Sequence, residues 1–552
     1  MTYIPPIQDQ LFILNNVLGT NIDDAALVLE AAGALAAETF EPLNTVGNKE
    51  GAKLTDKGVT TATGFKAAYA AYVEGGWNGL PAEEGFGGQG LPKVLAMAVQ
   101  ELWQSANIGL ALCGLLTQGS VELLTAHGTD AQKQKYLPKL VSGEHTGTMN
   151  LTEPQAGSDV GAVRTKAVKQ ADGTYKIIGQ KIFISYGDHD FTDNIIHFVL
   201  ARIEGAPAGT KGLSLFLVPK VLENGKANDV RCVSLEHKLG QHGSPTCVMA
   251  FGDNGGAYGE IVGAEGGGMA GMFTMMNEAR LGVGIQGLGL CERALQQGRA
   301  FAQERKQGGK AIIEYPDVRR MLLTIKSQTE AARGLAYSAT AAADAGDTKR
   351  VDLLTPLVKS WCTDLSNELT SLNIQIHGGM GFIEETGAAQ HYRDARVLAI
   401  YEGTNGIQAN DLLFRKVLKD GGAEARRYLD EIENHAKTLK GDAGEDAQVI
   451  GDSVIEAVQL VRKAIDYLLD EKDPERQQAA AVPFLNLFVL TAAGGMHARM
   501  VKAALEAEQT PFMQSKVTSG RFFVRHILSH TLGLAIAVRH TKSIVTATAE
   551  TI

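Results

Sequence analysis

The apolar residues of this chain change period twice, and that change limits the folds open to it more than any other feature. Up to about Thr148 the chain is rich in Ala and Leu at helical spacing: Leu11, Leu14 and Leu18 share a face, and residues 25–40 continue it with few breakers. From Leu151 the texture turns to short runs of branched and aromatic residues. These runs, 177–184, 195–203, 213–218 and 246–251, are separated by Gly, Asp and Pro, which predicts strands of an antiparallel β domain ending near Gly263. Helical spacing returns at Met269, in stretches such as 283–302 and 318–343, and runs to about Leu418. A last helical part begins near Glu424, where Val454, Val458, Val461, Ile465 and Leu468 draw one apolar stripe. With 552 residues the chain exceeds what one core can hold. The expected architecture is α+β and multidomain: an N-terminal helical domain (1–148), a middle antiparallel β domain (149–263), a helical bundle (264–420) and a C-terminal helical extension (421–552). In such an order the pocket is expected where the sheet meets the helices.

A net charge of -10 gives no reason to expect nucleic acid or an anionic membrane as partner. The extension carries nearly as many basic as acidic side chains, so it is not a basic arm. Five scattered cysteines without a CxxC pair argue against a disulfide framework or a zinc site and fit a reducing cytoplasm. The first residues, MTYIPP, lack the basic and apolar regions of a signal peptide. The longest apolar run, 479–495, is short for a membrane span and contains Pro483 and Asn486, so a buried helix is expected there. The glycine cluster at 85–90 follows no predicted strand and reads as a surface turn before a long helix from about Val94. His189 and His237 have no second ligand at metal-binding spacing and read as loop or substrate-entrance residues; no metal is expected.

The segment IYEGTNGIQ at 400–408 sets Glu402 between a bulky aromatic and a glycine, with the Thr404 hydroxyl and the Asn405 amide beside it. By itself it allows two readings. Glu402 is a general base on a tight turn facing a pocket, or it is a loop residue capping a helix that begins near Gly406. The segment has company: LTEPQAGSDVGA at 151–162, KIFIS at 181–185, ERK at 304–306 and QIHGGMGF at 375–382 stand in order along the chain.

These five stretches together resemble the acyl-CoA dehydrogenases, and the resemblance spans about Tyr3 to Leu418. It implies FAD as cofactor and an acyl-CoA thioester as substrate, with Glu402 taking the α-proton while hydride leaves the β-carbon for flavin N5. Some relatives carry the base just before the arginine that matches Arg280; here that residue is Ala279, which cannot serve, and Glu278 is the weaker alternative, more simply a solvated helix charge. The resemblance places Met149, Leu151, Thr152, Phe183, Ser185 and Thr404 at the flavin, Ser158 near its pyrophosphate and the pantetheine arm, and Asn277, Arg280 and Gly403 at the substrate. Phe183 stands where many relatives have tryptophan, and Ser185 where they often have threonine. Arg305, Gln375, Gly378 and Gly379 resemble groups that reach the FAD of a neighbouring subunit, which implies a homodimer or higher homo-oligomer. Gly308 and Gly406 depart from the common phenylalanine and glutamine at those positions. The long form and its extension resemble a larger bacterial branch that includes dehydrogenases of 3-(methylthio)propanoyl-CoA. That thioester or a short or medium acyl chain is the expected substrate, with an electron-transfer flavoprotein as acceptor. An oxygen-using oxidase and a catalytically silent DNA-binding relative are the alternatives.

Overall fold

The computed structural model describes residues 2–441 and 444–552. The Ala- and Leu-rich start folds as helices, of which α1 (Ala25–Leu35) is the first long one. A hairpin of β1 (Lys53–Thr55) and β2 (Gly58–Thr60) follows, too short to register as a pattern in the sequence. The single long helix expected from Val94 is two helices, α2 (Lys93–Ala106) and α3 (Ile108–His127). Asn107 separates them because its backbone leaves the helical region and its side chain caps α3, accepting from the Leu110 N–H at 3.1 Å. After α4 (Asp130–Ser142) the chain enters the sheet.

Eight strands make the sheet: β3 (His145–Asn150), β4 (Lys166–Lys169), β5 (Tyr175–Ser185), β6 (Asn194–Ile203), β7 (Leu213–Pro219), β8 (Val230–Leu235), β9 (Thr246–Phe251) and β10 (Ala257–Val262). Most pairs are antiparallel, as the sequence predicts, but β3 and β4 each run parallel to β6. β10 pairs with β7 through its second half and with β5 through its first, so β10, β7, β6, β4 and β5 close a circuit. Tyr175, Ile177, Val199, Phe216 and Phe251 fill one side of the sheet; Ile196, Phe198 and Leu215 pack on Leu123, Leu124 and Leu137 from α3 and α4.

The 37-residue α5 (Gly268–Glu304) is the axle of the helical part, flanked by α6 (Pro316–Asp344) and α7 (Thr348–His377). Its glycines permit close approach: a Cβ on Gly287 would lie 2.4 Å from the Cys362 carbonyl oxygen, and one on Gly289 would lie 2.8 Å from the Ser105 nitrogen. Arg333 on α6 joins Glu101 on α2 to Glu292 on α5, each at 2.7 Å and all buried.

Beyond the short α8 (Asn405–Asn410), the extension comprises α9 (Ala423–Lys440), α10 (Glu445–Asp470), α11 (Pro474–Glu506) and α12 (Pro511–His526), followed by shorter helices at Thr531–Arg539 and Lys542–Val545. The apolar stripe read from the sequence is the buried face of α10. α3 and α11 are long and apolar enough to cross a membrane, yet 83% and 72% of their most apolar windows lie buried inside this protein, which makes core helices of both. α11 also packs against α8, so the extension supports the loop that precedes α8.

Candidate active site

The loop before α8 holds Glu402 at φ +55, a left-handed conformation that costs a non-glycine residue on the order of 1 kcal/mol or more and persists only when its surroundings impose it. They do so here. The Glu402 carbonyl accepts from Arg280 Nε on α5 at 3.4 Å and from Gln408 Nε2 at 3.3 Å. The Gly403 carbonyl accepts from Lys359 Nζ on α7 at 2.9 Å, and the same ammonium donates to Asn405 Oδ1 at 2.9 Å. Thr404 caps α8, its hydroxyl accepting from the Ile407 N–H at 3.3 Å. The cap is therefore Thr404, which leaves the Glu402 side chain without a structural task. Both backbone N–H groups before it, at Ile400 and Tyr401, donate to the Val397 carbonyl, whereas the Glu402 N–H has no acceptor among the described residues. A free N–H and a carboxylate on one residue can polarise a carbonyl and take the proton beside it.

Burial pushes the Glu402 carboxyl up to about 7, against the pull of Arg280 and Lys359. Glu278 is also pushed up to about 7, by burial and by Glu122 and Asp344 against Lys93. It is not the solvated charge expected of it, but it lines a small cleft with Lys93, Gln100 and Glu122. Two residues from Arg280 along α5 is about 200° around a helix, so Glu278 faces away from the loop that Arg280 holds. Position, not acidity, separates the two carboxylates. Asn277 stays with the loop side, accepting from Arg280 Nη1 at 3.3 Å.

On the sheet, Lys181 of β5 is fully buried, donating to the Leu151 carbonyl at 3.0 Å and to Glu153 Oε1 at 2.9 Å. Burial penalises both charges of this pair. On Glu153 the Lys181 ammonium, the Thr165 hydroxyl and the Arg164 N–H outweigh that penalty and hold the carboxyl at about 2, while burial draws Lys181 down to about 8. Ile182 N–H donates to the Thr152 carbonyl at 2.9 Å, so Leu151 and Thr152 are held along β5. Sequence reading missed Lys181 and Glu153; a lysine flanked by strand residues was the only signal. Between Lys181 and Ile184 the pairing with β9 slips, and this bulge turns Phe183 outward at φ +60 with 58% of it exposed. An exposed phenyl in a strained conformation at the end of a strand is a platform for a flat apolar partner. Ser185 ends β5 and its carbonyl accepts from the Thr148 hydroxyl at 3.1 Å. Met149 lies half-buried on β3, and Ser158 is exposed in the loop after Leu151. The next residue after Ser185, Tyr186, donates to the Gly109 carbonyl at 2.6 Å, and the adjacent Ile108 packs with Tyr401. The end of β5 and the Glu402 loop thus flank the start of α3.

The other expected cofactor residues lie elsewhere. Arg305 follows the end of α5, 25 positions beyond Arg280 and so about 37 Å along the helix. Gln375 is exposed near the end of α7, about 24 Å along it from Lys359. Phe301 and His377 stack with ring centroids 4.3 Å apart, which brings the two helix ends together. Gly378, at φ +58, and Gly379 have no atom within 4 Å of where a Cβ would stand, and Met380, Phe382 and Ile383 beside them are exposed. This end of the bundle cannot serve the Glu402 loop of its own chain. His189 is also placed differently from the sequence reading: it is buried, accepts from the Phe191 N–H at 3.1 Å and contacts the Thr146 hydroxyl at 2.9 Å, with burial lowering it to about 3. It is a neutral core residue, while His237 is an exposed loop residue.

Family models match the chain from near its start to near its end. They are "Acyl-CoA dehydrogenase, N-terminal domain" over 30–144, "Acyl-CoA dehydrogenase, middle domain" over 148–254, "Acyl-CoA dehydrogenase, C-terminal domain" over 266–416, and "Acetyl-CoA dehydrogenase C-terminal like" over 428–549. The chain belongs to the acyl-CoA dehydrogenase family, and it is an FAD-dependent oxidoreductase acting on acyl-CoA. Among its relatives, the 3-methylmercaptopropionyl-CoA dehydrogenase of Ruegeria pomeroyi is 44% identical over 96% of this chain and 96% of its own length. A butyryl-CoA dehydrogenase of Syntrophomonas wolfei is 33% identical over 94% of this chain and 92% of its own. The Caenorhabditis elegans protein ACDH-11, solved in complex with C11-CoA, shares the fold with a TM-score of 0.80 over 96% of this chain and 92% of its own at 21% identity. The butyryl-CoA dehydrogenase of Megasphaera elsdenii superposes with a TM-score of 0.62 at 29% identity, covering 71% of this chain and 97% of its own.

Proposed function

We propose that Glu402 is the base that removes the α-proton of a short acyl-CoA thioester, and that the free Glu402 N–H polarises the thioester carbonyl. The observation that carries this reading is the pinned left-handed turn: the Glu402 and Gly403 carbonyls and the Thr404 hydroxyl are taken up by α5, α7 and α8, while the Glu402 carboxyl and N–H have no hydrogen-bond partner among the described residues. FAD, when bound, supplies the acceptor for the hydride that leaves the β-carbon. The α C–H electron pair forms the new double bond and the proton ends on the Glu402 carboxylate. A base with its pKa near 7 is half ionised at neutral pH and can both take and release that proton.

The residues present fit a flavin. Phe183 offers an exposed ring, Leu151 and Thr152 are held by Lys181 and the Ile182 N–H of the same strand, and Met149, Ser185 and Thr404 complete that side, with Ser158 toward the pyrophosphate. Arg305, Gln375, Gly378 and Gly379 sit too far along α5 and α7 to reach the same flavin, which supports a homodimer or higher homo-oligomer in which they serve the partner's site. Arg280 and Asn277, with Gly403, border the substrate side. The four domains are proposed as 1–148, 149–263, 264–420 and 421–552, in a cytoplasmic enzyme with an electron-transfer flavoprotein as acceptor. The 44% identity to a 3-methylmercaptopropionyl-CoA dehydrogenase supports that thioester, or an unbranched chain of similar length, as substrate. A panel of acyl-CoA thioesters of graded length, including a thioether, tests it by flavin bleaching. Bleaching fastest with four- to five-atom chains supports the reading, and preference for long chains overturns the substrate class.

A further inference from the structure

Next to the base stands Tyr401, whose ring packs among Ile108, Val283, Leu290 and Leu398 and whose hydroxyl donates to Gln286 Oε1 on α5. Gln286 is fully buried and begins a file of side-chain amides. Its Nε2 donates to Gln104 Oε1 at 3.2 Å, Gln104 donates to Gln100 at 3.5 Å, Gln100 donates to Gln118 at 2.7 Å, and Gln118 donates to the Asn78 carbonyl at 3.5 Å. Gln104 is fully buried and Gln100 nearly so. Every donor in the file points away from Tyr401, so reversing one amide would break two bonds at once. Leu or Met would fill these helix interfaces without the cost of burying amides, so the packing alone does not account for them.

Resting on the assignment of Glu402 as base, we propose that Gln286 is a positioning residue for the reaction, locking the Tyr401 hydroxyl and through it the peptide that carries the Glu402 N–H and carboxyl. Arg280 and Gln286 are six residues apart on α5, about 9 Å, and grip the loop at the Glu402 carbonyl and the Tyr401 hydroxyl respectively. Two handles on one rigid helix bracket the 401–402 peptide and restrict its rotation, which is what a residue held at φ +55 needs. The rest of the file holds Gln286 in the one rotamer that presents Oε1 to the tyrosine.

The test uses the full-length holoenzyme and four variants: Gln286→Met, which keeps volume and loses both bonds; Gln286→Glu, which keeps an acceptor; Tyr401→Phe; and the Gln286→Met, Tyr401→Phe double variant. Gln286→Met and Tyr401→Phe should each slow flavin reduction about tenfold or more with little change in KM, since a 1 Å misplacement of a reacting group costs up to about a hundredfold. The double variant should be no slower than the worse single one, and Gln286→Glu should recover most of the rate. A pH-difference infrared titration, with Glu402→Gln as blank, should show the Glu402 carboxyl titrating lower in Gln286→Met, because a loosened loop admits water. Wild-type rates in both single variants, or losses that multiply in the double variant, would overturn the inference. Should Gln286→Met fail to fold, Tyr401→Phe alone decides, since it removes the same bond from the half-buried side. If Glu402→Gln itself still bleaches the flavin, the base assignment fails first and the two failures are told apart.

Discussion

Replacing Glu402 by Gln should inactivate the enzyme and stabilise it, and the pH dependence of that stabilisation is the informative part. The folded protein raises this carboxyl from 4.5 to about 7. A group whose folded pKa is raised stabilises the fold fully below the unfolded value and loses that contribution as pH rises through the folded one. Between pH 4.5 and 7 the unfolded chain therefore ionises this group while the native state keeps it neutral, so stability falls with pH, by ~3 kcal/mol once pH exceeds 7, taking 1.36 kcal/mol per unit. Glutamine keeps the shape and removes the cost. With an unfolding entropy of about 2.1 cal/mol/K per residue, ~3 kcal/mol corresponds to a rise of at most about 3 °C in a chain this long. Thermal unfolding of the parent and Glu402→Gln, followed at pH 5, 6, 7 and 8 without substrate, should give curves that nearly coincide at pH 5 and separate progressively toward pH 8. In the parent, the rate of flavin reduction should rise about tenfold from pH 6 to 8, as the ionised fraction of a group with pKa near 7 climbs from about a tenth to about nine tenths. A difference in Tm that is the same at pH 5 and pH 8, or near-normal bleaching by Glu402→Gln, would refute the reasoning.

Lys181→Met should destabilise the middle domain by about 3 to 5 kcal/mol, because it leaves Glu153 buried without its cation. Loss of flavin on gel filtration and a lower Tm check it. Arg305→Ala should weaken FAD retention, read as the flavin-to-protein absorbance ratio, without changing the order of preferred thioesters. Glu278→Gln should turn over within about twofold of the parent, since its carboxyl faces the cleft with Lys93 and Glu122 rather than the Glu402 loop; an inactive, folded, flavin-loaded Glu278→Gln would move the base to α5. Thr404→Ala removes the cap of α8 and should cost ~1 kcal/mol with a loss in rate and an unchanged KM, measured by stopped-flow bleaching.

Period and local chemistry were legible in the chain itself. The change from helical to strand spacing at Leu151 and back at Met269 located the sheet between two helical parts, since a side-chain period of about 3.6 or 2 is a property of neighbours in sequence. The stripe at Val454, Val458, Val461, Ile465 and Leu468 named the buried face of α10 for the same reason. The stretch around Glu402 could be singled out because a carboxylate beside Gly403 is a local feature, but that stretch alone left base and helix cap both open. Relations between residues distant in sequence were not readable. The Glu153–Lys181 pair, the parallel course of β3 beside β6, and the file from Gln286 to Asn78 join positions tens to hundreds of residues apart, and no local pattern encodes them. The break at Asn107 was local yet missed, since its cap is seen only once the backbone turns. Tertiary structure also set apart two carboxylates of similar acidity. Glu278 and Glu402 are both pushed to about 7 by burial, but α5 turns one away from the loop and grips the other in place.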